Sequence, residues 1–381
     1  MDKFQDIRPY HDDEIRPVLD RLITDPEFLS SIASFYAPKL SRLFPAIMRS
    51  VARKKLGKQV QTVHDVASMQ HVIAEYMYKM IEDTTTSLTH SGIENLDQDK
   101  SYLFISNHRD ITMDPAFVNY VLHHAGYSTV RIATGDNLFK KPFVSDLMRL
   151  NKSFIVDRSL KGRELLQGLT LLSEYIHACI EQQHSVWIAQ REGRAKDGVD
   201  KTEAALLKML AMNARKQPLS ESLKKLHVVP VSISYEYDAC DVLKAEELYQ
   251  TETKGSFTKT DKSDIESIVT GMIGFKGAVH VAFGSEMQYE SDEPEAIVAS
   301  IDRQILQNYK LRDSNFIALE MLRERNQLPE RAAGMIFESK EIKDASRDTF
   351  AKRLMTVDAK LQKHYLLSYA NPVISCSPFQ S

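Results

Sequence analysis

The sequence has three cysteines in 381 residues, Cys179, Cys240 and Cys376, scattered and odd in number. None forms a Cys-x-x-Cys pair, which argues against a cysteine-ligated metal site and for a reduced compartment. No uncharged apolar run approaches the roughly 20 residues that a membrane span needs. The first residues, MDKFQDIRPYHDDE, have no apolar core of a signal peptide. A strong net charge is also missing: 49 Lys and Arg against 52 Asp and Glu leave -3, so bulk charge gives no sign of nucleic-acid binding. The expectation is a cytoplasmic protein, bound at most peripherally to the cytoplasmic face of a membrane. With 43% hydrophobic and 27% charged residues the chain reads as folded, long enough for one large domain with additions or for two.

One local absence says more than the totals. From Phe28 to His64 there is no Asp or Glu, while Lys39, Arg42, Arg49, Arg53, Lys54, Lys55 and Lys58 fall in the same window. Leu40, Leu43, Phe44 and Ile47 recur there at helical spacing, which makes one face apolar with basic flanks. A helix packed on its own domain would explain this pattern. The complete lack of acids favours an anionic membrane surface.

Residues up to about Leu96 read as helical, with Pro38 and Pro45 starting or breaking helices. Short apolar runs then suit strands: SYLFIS (101–106), TVRIAT (129–134), SFIVD (153–157), SVWIA (185–189), HVVPVSI (227–233) and AVHVAF (278–283). Longer helical patterns lie between them, and after Gly284 the chain is acidic and then helical. The polar stretch 251–264 reads as a loop. The expected architecture is α/β, a mostly parallel sheet flanked by helices, with an N-terminal helical region (1–95), an α/β domain (96–285) and a C-terminal helical extension (286–381). In such sheets ligands gather beyond the carboxyl ends of the strands.

Four stretches at those ends carry residues fit for chemistry. The first is SNHRDITMDPAF (106–117), with His108, Asp110 and Asp114. By itself it could be a polar turn in which Asp110 or Thr112 caps the next helix, with Pro115 in its first turn. The second, SFIVDR, ends in Arg158; a surface ion pair would explain it. The third, IAQREGRAK, holds Arg191, Glu192, Gly193 and Arg194, where arginine forks suit phosphate or carboxylate and Gly193 permits close backbone approach. A solvated charged loop is the ordinary alternative. The fourth, VVPVSI, places Pro230 inside an apolar strand, which suggests a bulge or an edge.

The order of these stretches resembles the glycerolipid acyltransferase family, which includes glycerol-3-phosphate and 1-acylglycerol-3-phosphate acyltransferases. The family's motifs are Asn-His-x4-Asp, an arginine after an apolar strand, Phe-Pro-Glu-Gly-Thr-Arg, and Val-Pro-Val within a strand. The resemblance covers roughly residues 96–285. Two departures stand out. The x4 spacing from His108 reaches Met113; Asp114 is one residue later and is preferred, because Pro115 and an apolar helix follow it, with Asp110 as the alternative. In the third motif Arg194 follows Gly193 directly, and Arg191 stands where the family has proline.

The resemblance implies acyl transfer from acyl-CoA or acyl carrier protein to an alcohol, with no metal and no bound cofactor. His108 would act as base and Asp114 would orient it. Arg158, Glu192, Gly193, Arg194 and Arg191 would hold the acceptor, and Pro230 would shape the pocket wall. The favoured acceptor is the lysophospholipid 1-acylglycerol-3-phosphate. Glycerol-3-phosphate and a lyso amino-acid lipid (ornithine or glycine) are alternatives, and a non-catalytic membrane-surface adaptor or a thioester hydrolase belongs to a different class. The partners implied are the acyl donor thioester, the lysolipid, an anionic membrane surface and acyl carrier protein, with no nucleic acid.

Overall fold

A computed structural model describes residues 2–258, 260–335, 337 and 341–379. Helices α1 (Asp12–Leu22), α2 (Pro26–Tyr36), α3 (Pro38–Leu43), α4 (Pro45–Gln59) and α5 (Val66–Thr84) lead into strands β1 (Thr85–Ser91) and β2 (Leu103–Ser106). There follow α6 (Met113–His124), β3 (Arg131–Gly135), α7 (Pro142–Leu150), β4 (Ser153–Val156), α8 (Gly162–Glu181) and β5 (Val186–Ala189). Next come α9 (Ala204–Leu210), α10 (Leu219–Lys224), β6 (Val228–Tyr235), α11 (Asp241–Lys254), α12 (Asp261–Ile273) and β7 (Gly277–Phe283). Helices α13 (Pro294–Gln307), α14 (Asp313–Glu324), α15 (Asp344–Met355) and α16 (Gln362–Cys376) complete the chain. Among the described residues no helix is long and apolar enough to cross a membrane.

The chain forms two compact units that are not consecutive in sequence. The first takes residues 1–78 and 130–175, the second residues 79–129 and 176–381. In the first, α1 turns Ile15, Val18, Leu19 and Leu22 into a core with Phe143, Leu147 and Leu150 of α7. Beside that core the buried Asp146 carboxylate accepts Tyr10 Oη at 2.6 Å and Arg21 Nη2 at 2.6 Å. Strands β3 and β4 pair in parallel, from Ile132 opposite Ser153 to Gly135 opposite Val156. Prolines open α2, α3 and α4 at their first turn, where a missing N–H costs nothing. The expected amphipathic helix is therefore cut at Pro38 and Pro45 into short pieces. Their inner faces bury Leu29, Ala33 and Ala52, and Phe35, Tyr36, Leu40, Leu43, Phe44, Ile47 and Val51 remain exposed.

In the second unit the strands are ordered β1-β7-β6-β2-β5. Strand β2 is parallel to both β5 and β6, β1 is parallel to β7, and β6 and β7 are antiparallel. All of Leu103–Ser106 is buried, as a strand covered on both faces requires. The C-terminal helices α14, α15 and α16 share an apolar core built on Leu319, Leu322, Phe350, Tyr365, Leu366 and Tyr369, which also takes in Tyr237 and Ala245.

Three local expectations differ from the structure. Residues 85–91 form a strand, although the chain to Leu96 read as helical; TTSLTHS is polar and mostly exposed at one end of the strand order, so it carries no apolar signature. Most of 251–264 belongs to the end of α11 and the start of α12, because Thr260 caps α12 by accepting Ser263 N at 3.3 Å. Pro230 lies in a central strand, between β2 and β7, neither at an edge nor in a bulge. It is tolerated because its free edge faces the chain just past β7: Gly284 N donates to Pro230 O at 2.8 Å, and β6–β7 pairing begins one residue later, at Val231 opposite Phe283.

Candidate active site

Strands β2 and β5 run parallel and in register, Leu103 opposite Val186 and Ser106 opposite Ala189, so their following loops leave the same edge of the sheet. The first loop carries His108 and the second carries Glu192, Gly193 and Arg194. They are tied together directly, since Ala195 N donates to His108 O at 2.8 Å and Gln190 N donates to Ser106 O at 2.8 Å. Asn107 fixes the root of the first loop. Its Oδ1 accepts Ile233 N at 2.8 Å and its Nδ2 donates to Ile233 O at 3.0 Å, so the side chain continues the β2–β6 ladder one step past Ser106.

His108 Nδ1 lies 2.8 Å from Asp114 Oδ2. The Asp114 side chain is 0% exposed and the His108 side chain 14%. Arg109 N and Asp110 N also donate to Asp114 Oδ2, at 2.6 and 2.9 Å, and Tyr235 Oη donates to Oδ1 at 2.6 Å. A fully buried carboxylate needs donors of this kind on both oxygens. Burial, and then Asp114's charge, push the Tyr235 phenol well above its ordinary value, so it remains an O–H donor. The carboxylate assigns the imidazole proton to Nδ1 and leaves Nε2 as the acceptor. The ring stands edge-on to Trp187, 5.7 Å between centroids, and Trp187 Nε1 is fixed on Ser106 Oγ at 3.0 Å.

Asp110 has a different task. Its Oδ1 accepts Thr112 N and Met113 N, both at 2.9 Å, which caps the start of α6. Burial first, then Asp114's charge, push the Asp110 carboxyl upward. Arg109 points away from the imidazole: its Nη2 donates to Asp200 Oδ2 at 2.6 Å and Gly198 O at 3.2 Å.

The remaining expected residues divide. Gly193 has φ +73 and open space where a side chain would stand, so its backbone is bare to an approaching group. Arg194 Nη2 donates to Ser267 Oγ of α12 at 3.2 Å, and its Nη1 is buried with no partner among the described residues. Arg191 Nη2 reaches Arg194 O at 3.4 Å. Glu192 is exposed on the same turn. Pro230 does not join them: it is buried in the sheet opposite Ile105. Arg158 belongs to the first unit, just past β4, where its N–H donates to Asp136 Oδ1 at 3.2 Å. Sequence reasoning missed Tyr235, Trp187 and Asp200. None sits in a motif, and only the sheet order brings Tyr235 to Asp114.

Parts of this chain are similar to known proteins. Residues 87–234 match the family described as Acyltransferase. A glycerol-3-phosphate acyltransferase of Alteromonas mediterranea is 26% identical in an alignment of 242 residues that covers 57% of this chain and 28% of that one. This chain thus matches little more than a quarter of that relative's length. The crystal structure of the 1-acyl-sn-glycerophosphate acyltransferase PlsC from Thermotoga maritima overlaps 76% of this chain and 100% of its own, at 12% identity and a TM-score of 0.38, too loosely to carry an argument. Residues 87–234 are thus similar to the Acyltransferase family, over the same stretch that carries His108, Asp114 and the Glu192–Arg194 turn.

Proposed function

We propose that the protein is an O-acyltransferase that moves a fatty acyl group from an acyl-CoA or acyl carrier protein thioester to the hydroxyl of a lysophospholipid, first of all 1-acylglycerol-3-phosphate. The observation that carries this reading is the His108–Asp114 pair, 2.8 Å apart and tied through Ala195 to the turn that holds Gly193 and Arg194. His108 Nε2 takes the acceptor's hydroxyl proton as the oxygen attacks the thioester carbonyl. Asp114 holds the ring and stabilises the imidazolium, as in a triad whose nucleophile is the substrate. Collapse of the tetrahedral intermediate breaks the C–S bond, and the departing thiolate takes the proton back from His108. An ester and a free thiol result. Arg194, with Arg191, Glu192 and the bare backbone at Gly193, receives the acceptor's head group.

Glycerol-3-phosphate is the second acceptor, favoured by the activity named for the Alteromonas relative. The exposed apolar residues Phe35, Tyr36, Leu40, Leu43, Phe44, Ile47 and Val51, within the basic, acid-free stretch 28–64, support peripheral binding to an anionic membrane, where lysolipid resides. The test is a mass-spectrometric assay. Wild-type protein and His108→Ala are each given acyl-CoA or acyl carrier protein with lysophosphatidic acid, glycerol-3-phosphate and lyso-ornithine lipid in parallel. A His108-dependent ester on one acceptor is expected; undiminished product from the folded variant would sink the assignment of His108. Free fatty acid with no lipid product would mean a thioester hydrolase.

A further inference from the structure

A fully buried lysine stands behind the dyad. Lys244 lies in the first turn of α11 and its Nζ donates to Arg109 O at 2.6 Å. That carbonyl belongs to the Arg109–Asp110 peptide, whose N–H donates to Asp114 Oδ2 at 2.9 Å. The order in space is lysine, peptide oxygen, peptide N–H, carboxylate, imidazole. A cation on the oxygen end of an amide draws electron density from its nitrogen and strengthens the N–H as a donor, as chains of hydrogen bonds polarise one another.

Stability alone gives little reason for this placement. A cation in a helix's first turn opposes the helix dipole. A buried ion pair seldom stabilises more than apolar residues of the same size would. Lys244 is nevertheless held firmly. Its Nζ also bonds Asp238 Oδ2; burial would raise that carboxyl, but Lys244, the Cys240 N–H and Arg109 together hold it below its usual range. Asp238 N in turn donates to Tyr369 Oη of α16 at 3.0 Å, and Tyr369 Oη donates to Asp241 Oδ2 at 2.7 Å. Arg353 Nη2, from α15, donates to the same Asp241 oxygen at 2.8 Å.

We propose that Lys244 is a positioning residue of the acyltransferase site, polarising the Arg109–Asp110 peptide so that its N–H grips Asp114, and that the C-terminal helices hold Lys244 in place through Tyr369 and Asp238. The C-terminal extension is then a working part of the site. This rests on the reading of His108 and Asp114 as the catalytic pair.

The test compares full-length wild type with Lys244→Met/Asp238→Asn, which removes both charges and leaves neither buried alone, and with Tyr369→Phe, which keeps every charge. Turnover is measured in the acyl-transfer assay, and the low-field Nδ1–H resonance of His108 is followed in protein labelled with 15N-histidine. The double variant is expected to lose about tenfold in kcat with KM within about twofold, and to show a displaced resonance. Tyr369→Phe is expected to show the same changes at about a third of the size. A folded double variant with wild-type kcat and an unmoved resonance would overturn the proposal; should it not fold, the same result in Tyr369→Phe would do so. His108→Ala is run alongside. Retained turnover there condemns the base assignment instead, and the resonance then decides for Lys244, a shift supporting it and no shift overturning it.

Discussion

The Tyr235 hydroxyl donates to Asp114 Oδ1 at 2.6 Å across 121 positions of sequence. One residue closes strand β6 and the other lies in the first turn of helix α6, and their meeting completes the donors around a fully buried carboxylate. Tyr235→Phe should therefore leave one buried oxygen of Asp114 unpaired, at a cost of about 1–3 kcal/mol. The expected outcome is a fall in kcat of about tenfold with KM nearly unchanged, and a lower melting temperature. Steady-state kinetics and a thermal melt on the same preparation check both. Unchanged kcat would show that the other donors suffice.

Asp110 and Asp114 should separate cleanly. Asp114→Asn replaces the acceptor of His108 Nδ1 by an amide and should reduce kcat by about 10²–10⁴-fold, the range known for triad aspartates. Asp110→Asn keeps a side-chain oxygen for the cap of α6 and should cost no more than about 1 kcal/mol of stability with activity within a few fold. The opposite ranking in kcat would reassign the partner of the imidazole.

The exposed face of the N-terminal helices gives a third prediction. Leu43 and Ile47 are 69% and 61% exposed, so charge there should not disturb folding. Leu43→Glu/Ile47→Glu should lower binding to vesicles containing anionic lipid by about tenfold or more, since it removes apolar anchoring and adds repulsion. Co-sedimentation with anionic and neutral vesicles reads the effect. Equal binding of variant and wild type would remove this face as the membrane contact.

His280 gives a pH dependence. It lies in β7 with Nδ1 at 2.8 Å from Thr89 Oγ1 and Nε2 at 3.1 Å from Ser91 Oγ. Burial, then the charges of Lys310 and Arg312, push it down to about 4 from 6.5. The folded value lies below the unfolded one, so between these values the unfolded chain binds more protons. The stability this group contributes is whole above pH 6.5 and is lost as pH falls through 4. Wild type should therefore exceed His280→Asn in unfolding free energy at about pH 7, and that margin should shrink by the order of 2 kcal/mol at about pH 4.5. Urea titrations at the two values measure it. A constant margin would mean that the folded imidazole takes up its proton as readily as the unfolded one.

Much of this site can be read from local pattern. Apolar runs end where β2 and β5 end, because a strand buried on both faces must be apolar throughout and its first polar residue marks the sheet's edge. His108 and Gly193 could be placed at that edge without coordinates. Pro230 misled, because a proline inside a strand signals an edge unless the neighbouring strand has already stopped, and where β7 stops is not written near residue 230. Strand β1 was invisible for a related reason: an exposed strand has no buried face to leave an alternation.

The sequence by itself determined that this is an α/β chain with polar, chemically equipped loops at the carboxyl ends of its strands, and that the stretch 28–64 is basic and free of acids. These are properties of neighbouring residues, set by burial and charge along a short length of chain. Only the tertiary structure decided that Asp114 and not Asp110 faces His108, that Tyr235 completes its hydrogen bonds, and that Lys244 and Tyr369 stand behind it. Those partners lie up to 135 positions apart in a single hydrogen bond, as between Arg109 and Lys244. Their meeting depends on strand order, register and helix packing, which no local pattern encodes.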